Sequence, residues 1–449
     1  MHDFEPTLWH KANENVESLR AVTFDVNGVM RGKRLPVDQL EKVCKGGVRM
    51  PLSTANVDIW GRDIDGSPWV FETGDADGQC VWTGRGPLPV TWTDRPCAML
   101  PVTLHTEDGQ PFLGDARNAL AALLERYAAK GIRPVSAFEL EFYLVDPKAS
   151  NGVGTPNNPL TGANGIRDNV LSVDELNDYD ALLGDIYDAC QAQGVGADAA
   201  ISESGLAQFE VNLKHGDDAL KIADDAMLFK TIVKGVARKH GLAASFMAKP
   251  FANRPGNGLH LHFSLLDNDG ANLFEDGDEG SVMMRHAIGG LIDAMPQSMI
   301  FFAPHLNSYR RLAIESHAPT SICWGYENRT AAIRVPGGPA AQRRIEHRVA
   351  GADTNPYLVM MAILGAALSG IEEQSQSGDP ITTSAYDMEL SQLPGSWADA
   401  LNIFKTGDKT HSFCPPILRD MIVLTKGQEM ARFAAEVTAL EYASYLDQV

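Results

Sequence analysis

The sequence predicts an α+β protein with a small strand-rich N-terminal part and a larger part in which helices and strands alternate. Three observations carry this reading. The chain has 449 residues, enough for two or three domains at about 100–200 residues each. Its composition, 44% apolar and 21% charged, is that of a chain that buries a large core, and it excludes disorder. Beyond residue 107 the apolar residues switch repeatedly between alternating and helical spacing.

Residues 19–35 read as a strand entering an Asn27-Gly28 turn, with Arg31-Gly32-Lys33-Arg34 on the return, the pattern of a hairpin. Residues 50–105, rich in tryptophan and broken by Gly and Pro, suggest strands rather than helices. The polar turn Glu107-Asp108-Gly109 marks a boundary between an N-terminal domain over 17–106 and a C-terminal domain over 107–449. A helix then starts with Asp115 as its N-cap. Further on, strands are expected over 138–145, 259–266 and 343–349, and helices over 179–193, 223–240, 355–371 and 418–446. Residues 147–169, rich in Gly, Asn and Pro, form a long loop, and the acidic run 275–279 is a solvated turn.

The 38 basic and 58 acidic residues leave a net charge of −20, which argues against nucleic acid and for cationic or metal-chelated partners. The longest apolar stretch, 357–371, is too short for a membrane span, and the N-terminus lacks a signal peptide's basic start and apolar run. The cysteines at 44, 80, 97, 190, 323 and 414 lie far apart, without the spacing of a disulfide scaffold or zinc site. A reduced, cytoplasmic protein with no membrane partner is expected.

Two clusters stand out chemically. In Phe138-Glu139-Leu140-Glu141-Phe142 the carboxylates point one way and the apolar residues the other, and side-by-side carboxylates call for a cation between them. Downstream come Glu203 and Glu210, then Gly256-Asn257-Gly258-Leu259-His260-Leu261-His262-Phe263-Ser264. The His-x-His pair alone fits a zinc hydrolase as well. Sites dominated by carboxylate instead suit magnesium or manganese. Arginines are the second cluster, at 310, 311, 329, 334, 343, 344 and 348. Guanidinium groups bind phosphate and carboxylate bidentately, so the two clusters together imply phosphoryl transfer to an anionic substrate.

Taken in order, Asp25-Val26-Asn27-Gly28, Glu139-Leu140-Glu141-Phe142, Gln208-Phe209-Glu210, Phe246-Met247-Ala248-Lys249-Pro250, the Gly256–Ser264 run, Asn307-Ser308-Tyr309-Arg310-Arg311, Asn328-Arg329-Thr330, Arg344-Ile345-Glu346-His347-Arg348 and Asn355-Pro356-Tyr357-Leu358 resemble the glutamine synthetase superfamily along nearly the whole chain. The resemblance implies an N-terminal β-grasp domain and a catalytic domain with a curved antiparallel sheet forming a funnel. It also implies a homo-oligomer of two stacked hexameric rings with active sites shared between subunits. By position, Glu141, Glu203 and Glu210 would hold one divalent ion, and Glu139, His260 and Glu346 a second, Mg2+ or Mn2+. His262, Ser264, Arg334 and Arg344 match ATP contacts, with Asp198 a weaker match. Gly256, Arg311 and Arg348 match the glutamate site, and Arg329 the arginine facing the transferred phosphate.

The chain departs from the glutamine-forming members at the acceptor site. In the flap segment Glu315-Ser316-His317-Ala318-Pro319, His317 stands where they carry a carboxylate. Their Asp-Gly-Ser-Ser loop has no clean counterpart, and Asp58 is the nearest substitute. Pro255 replaces an asparagine and Ala207 a glycine. These changes predict a larger acceptor than ammonia, as in the γ-glutamylputrescine and γ-glutamylpolyamine synthetases. His317 and Asp58 become the amine-site candidates, and Trp60, Trp69 and Trp324 candidate aromatic walls. Glutamine synthetase proper, a ligase for methylamine or ethanolamine, and a non-catalytic relative are the competing readings.

Overall fold

The structure is a computed structural model that describes residues 4–149, 153–163, 169–313, 316 and 318–449. His317 and Glu315 lie outside the described residues, as does part of the expected 147–169 loop.

The Asn-Gly signal is realised as a hairpin. Strands β1 (Ser18–Phe24) and β2 (Met30–Pro36) pair antiparallel from Ser18↔Pro36 to Phe24↔Met30. Gly28 takes the left-handed conformation (φ +71°), and Asp25 Oδ1 accepts from the Asn27 and Val29 amides at 2.9 Å. With β3 (Val48–Pro51), β4 (Asp77–Trp82), β5 (Leu88–Pro89) and β6 (Cys97–His105), they form a sheet ordered β2-β1-β6-β4-β3, β5 adding to β6. The β1–β6 pair is parallel.

The second sheet holds β7 (Arg133–Val145), β8 (Ala197–Ser202), β9 (Gln208–Leu213), β10 (Ala243–Ser245), β11 (Leu259–Leu266), β12 (Trp324–Tyr326), β13 (Ile333–Val335) and β14 (Ile345–His347). Its order is β12-β13-β14-β11-β7-β9-β8, with β10 on β7. Leu140 and Phe142 are fully buried on the helix-covered face, as alternation requires. The helices Ala219–Lys239, Val282–Phe302 and Pro356–Glu373 contribute to this core. Gly290 and Gly370 let the last two helices touch: a Cβ on Gly290 would lie 2.2 Å from the Ala366 carbonyl oxygen. Pro356–Glu373 has the length and apolarity of a membrane span, and 78% of it is buried inside the fold as a core helix.

Two sequence expectations need correction. The expected helix over 418–446 is two helices, Pro416–Ala435 and Ala439–Tyr445. Glu436 turns extended, and Thr438 and Glu441 form a capping box that starts a new helix in spite of the continuing apolar spacing. The strand expected over 343–349 is only Ile345–His347. Arg343 closes a short 3-10 turn before it, and the Val349 carbonyl after it is taken by Arg311 at 2.9 Å.

The Pro416–Ala435 helix also carries an N-terminal loop. Asn56 donates to the Met421 carbonyl (3.2 Å) and to Thr425, while Gln428 donates to Asp58 Oδ2 (3.1 Å) and the Asp63 carbonyl (3.0 Å). Glu429 accepts from the Ile59 amide (2.8 Å) and the Asn27 side chain (3.0 Å), and Arg432 stacks on Trp60 at 4.0 Å. These helix residues recur at three- and four-residue steps, so they share one face. Lys426 Nζ, 2.9 Å from Glu429 Oε2, neutralises the otherwise isolated buried carboxylate. Lys426→Met leaves that charge unpaired and is expected to lower stability by about 3–5 kcal/mol. Urea unfolding followed by circular dichroism measures the loss.

Candidate active site

Strand register brings the carboxylates together. Glu141 pairs with Glu210 across β7–β9, and Glu139 with His260 across β7–β11. His262 pairs with Glu346 across β11–β14, and Glu346 with Arg334 across β14–β13. Acids thus face bases across β7–β11–β14–β13, but acid faces acid across β7–β9, while the opposite face is apolar.

The side chains come close enough to share a cation. His260 Nδ1 lies 3.2 Å from Glu139 Oε2 and 3.8 Å from Glu346 Oε1. His262 Nε2 lies 3.0 Å from Glu139 Oε1, though out of line for a hydrogen bond. Ligand atoms of Glu139, His262 and Glu346 fall within 4.8 Å of one another, as do those of Glu139, Glu210 and His260. The structure thus puts Glu139 at the centre of both groups and adds His262, which the sequence suggested for ATP. Glu141 accepts from the Gly258 amide at 2.7 Å.

The electrostatics ask for cations. Burial and the neighbouring Glu141 and Glu139 carboxylates push Glu203 up to about 7. Burial, then Glu139, Glu141 and Glu203, push Glu210 up to about 9. Burial also acts against ionised Glu139, but its two histidine partners hold it well below the usual carboxylate range. Glu346 is held at about 2, burial being outweighed by Arg348, His260 and His262. A crowd of buried carboxylates, too few of which can ionise together, fits hard divalent cations with oxygen preference.

Arg334 Nη1 donates to Glu346 Oε2 at 2.8 Å, and Arg348 donates to Glu346 Oε1. The Nε atoms of Arg334 and Arg348 are buried without partners among the described residues. Orphaned donors on two neighbouring arginines are what an anionic ligand would satisfy. Arg311 is buried, donating to the Val349 carbonyl and, at 3.4 Å, to that of Arg348. A Cβ on Gly256 would lie 2.8 Å from Arg311 Cγ, so only glycine admits that close approach. Exposed Arg329 is near enough for its charge to lower the Glu203 carboxyl's affinity for protons.

Beside the cluster opens a cavity of about 1050 Å³, lined by Glu139 and His262 on one side and by Asp198, Ser264 and Arg344 elsewhere. That volume is at the upper end of small-molecule pockets, about 300–1,000 Å³. Arg344 Nε reaches His262 Nδ1 at 3.4 Å.

Asp58 lies elsewhere, buried in the N-terminal loop. Its Oδ1 accepts from the Trp60 (3.0 Å) and Arg62 (2.9 Å) amides and its Oδ2 from Gln428, so it staples the loop. The tryptophans are chiefly packing residues. Trp324 is buried and donates to the Ser377 carbonyl at 3.0 Å, and Trp69 meets Phe112 edge-on at 5.1 Å. Trp60 reaches solvent, but its ring already carries Arg432. Sequence reasoning missed Gly258, whose amide holds Glu141, and Gln208, which donates to the Gly256 carbonyl and Asn257 Oδ1 at 3.0 Å. Both lie inside quoted motifs, but spacing alone does not reveal such contacts. Ala207 adopts φ +60° where the resemblance expected glycine, a strain of about 1–2 kcal/mol.

The sheet, the crowded carboxylates and the cavity bordered by Glu139, His262 and Arg344 are the features expected of a metal-assisted, ATP-dependent ligase. Residues 113–445 match the glutamine synthetase catalytic domain, and the chain belongs to the glutamine synthetase family. It is 36% identical to γ-glutamylputrescine synthetase PuuA of Escherichia coli, over 95% of this chain and 91% of that protein. It is 30% identical to glutamate–isopropylamine ligase of a Pseudomonas species, over 96% and 95% of the two chains. A solved GmaS/ADP complex superposes with a TM-score of 0.84 at 28% identity, covering 99% of each chain. The chain is thus an ATP-dependent glutamate–amine ligase of a family that uses divalent metals.

Two outcomes are expected here. A Cβ at position 258 would lie 2.9 Å from Arg311 Nη2, 3.0 Å from His260 Nε2 and 3.2 Å from Glu141 Oε1. Gly258→Ala should therefore lower kcat/KM by about 10²-fold with little change in melting temperature. The second concerns pH. In the metal-free fold Glu203 and Glu210 keep protons up to about 7 and about 9, which the unfolded chain releases near about 4.3. The native state then binds more protons, so stability falls as pH rises through that window. Divalent ions bound beside these carboxylates would replace those protons. Thermal stabilisation by Mg2+ should accordingly be larger at about pH 8.5 than at about pH 6, and a pH-independent shift would contradict this.

Proposed function

We propose that this enzyme joins the γ-carboxyl of glutamate to a diamine or polyamine, putrescine first among them, with cleavage of ATP to ADP. The likeness to a γ-glutamylputrescine synthetase along nearly the whole chain is the observation that carries it. In this reading residues 17–106 form the β-grasp domain and 107–449 the catalytic domain.

Carboxylate is a poor electrophile, so the γ-carboxylate must first take the terminal phosphoryl group of ATP. Bound Mg2+ or Mn2+ would neutralise phosphate charge during that transfer. Glu139, Glu141, Glu203, Glu210, His260 and Glu346 are the proposed holders of these ions. Asp198, His262, Ser264, Arg334 and Arg344 bind the nucleotide, and Gly256, Arg311 and Arg348 hold glutamate. Arg329 faces the moving phosphoryl group and stabilises its charge. The amine nitrogen then attacks the acyl carbon, forming the C–N bond as phosphate leaves with the C–O electron pair. Attack needs a neutral amine; for a lysine-like pKa of about 10.4, deprotonation at pH 7 costs about 4.6 kcal/mol. His317, from its flap position in the sequence, is the proposed proton acceptor. Asp58 shapes the acceptor loop through its backbone bonds.

Assembly into two stacked hexameric rings is proposed with this function. The exposed apolar residues Leu440, Tyr442 and Leu446 of the C-terminal helix support burial against other copies. A cytoplasmic setting accords with the six unpaired cysteines. A second reading, a small monoamine as acceptor, is favoured by the 30% identity to glutamate–isopropylamine ligase.

ADP release with ATP, Mg2+ and glutamate, compared across ammonium, methylamine, ethanolamine, isopropylamine, putrescine and spermidine with products weighed by mass spectrometry, tests the assignment. Putrescine or spermidine should exceed ammonium by at least about tenfold in kcat/KM. A monoamine or ammonium in first place replaces the polyamine reading. In the same assay His317→Ala should lose most activity near neutral pH and recover as the amine deprotonates.

A further inference from the structure

Glu327 sits in an arrangement that fold stability does not explain. It follows β12 and precedes the turn that carries Arg329, and its backbone is left-handed at φ +52°. A non-glycine residue gains nothing from that conformation and persists there only where its surroundings impose it. Its amide donates to the Val335 carbonyl at 3.1 Å, which fixes the bend against β13. Both side-chain oxygens face Arg334 Nη2, at 3.2 and 3.3 Å, and Oε1 also accepts from the Gly337 amide. The carboxylate is 59% exposed, whereas Arg334 is 11% exposed. An ion pair with one partner so open to water adds little stability.

The position of Glu327 ties three parts of the nucleotide side together. Arg334 is held at Nη1 by Glu346 and at Nη2 by Glu327, while its buried Nε has no partner among the described residues. Gly337 starts the loop that runs to Ala341, Gln342 and Arg344 on the cavity wall. There is no room to spare at that joint: a Cβ on Gly337 would lie 3.2 Å from Glu327 Oε1. The residue after Glu327, Asn328, caps the Arg329 turn by accepting from the Thr330 amide at 3.0 Å and anchors it by donating to the Thr383 carbonyl at 2.7 Å.

We propose that Glu327 is a positioning residue for the nucleotide: strained into the left-handed conformation, it aims Arg334 and pins the Gly337 loop against the cavity. The proposal rests on the reading of Arg334 as a nucleotide contact. A fork gripped at both ends holds its remaining N–H groups in fixed directions, so a phosphate meets an arginine whose rotamer entropy is already lost. Without Glu327, Arg334 swings about Glu346 and the Gly337 amide loses its acceptor.

Steady-state KM values for ATP and for glutamate, with melting temperatures, decide the matter for Glu327→Gln, Glu327→Gly and Arg334→Gln. Glu327→Gly should raise the KM for ATP about tenfold, keep kcat within about threefold and leave the KM for glutamate unchanged. Its melting temperature should not fall, because glycine accepts the left-handed backbone without strain. Glu327→Gln retains an acceptor for Gly337 and should lie between that variant and wild type. If Arg334→Gln raises the KM for ATP while both Glu327 variants leave it unchanged, the positioning role is wrong and the nucleotide reading stands. Equal rises in both KM values, or a lowered melting temperature, would show a general structural role and overturn the proposal. An unchanged KM for ATP in Arg334→Gln removes the nucleotide reading and the proposal with it.

Discussion

The constraint on which the site depends is the repulsion among carboxylates fixed to one sheet face. Antiparallel register brings Glu141 opposite Glu210 and Glu139 opposite His260, and neither strand can slip without turning its apolar residues outward. The fully buried Leu140 and Phe142 thus enforce an arrangement that charge alone would oppose. Histidines and arginines offset part of the repulsion at Glu139 and Glu346, while Glu203 and Glu210 stay protonated well above the usual carboxylate range. Hydrophobic burial holds the carboxylates close together, and the residual charge imbalance is one that hard, doubly charged ions would relieve.

Around that centre the arginines act in graded ways. Arg311 is committed to backbone carbonyls beneath Gly256 and Gly258, so it shapes as well as charges its surroundings. Arg334 and Arg348 share the two oxygens of Glu346 and keep buried donors free. Arg329, on its turn, is exposed, as is Arg310.

Much of this was legible in the sequence, because period-two alternation states which side chains share a face. Glu139 with Glu141, and His260 with His262, follow from alternation, and β11 matches its expected span, residues 259–266. Boundaries set by tertiary contacts were not legible. β14 ends at His347, with the Val349 carbonyl beyond it taken by Arg311, and a capping box divides the last helix despite continuous apolar spacing. Nor did spacing reveal that Asp58 accepts from two loop amides and Gln428, or that the tryptophans chiefly serve packing. Those outcomes depend on partners hundreds of positions away or on a backbone angle such as that of Glu327.

The lacing of residues 56–65 onto the Pro416–Ala435 helix has a consequence for the order of biosynthesis. Ile59 and its acceptor Glu429 are separated by 370 positions, so a ribosome working at about 5–20 residues per second makes the loop about 20–70 s before its support. During that interval the N-terminal sheet can pair its strands, but Asn27, Asn56 and the Ile59 amide lack the bonds that the last long helix supplies. The loop would thus be set last, by the final part of the chain to emerge, and a nascent chain stopped before residue 416 would carry the metal-ligand strands without a finished N-terminal loop.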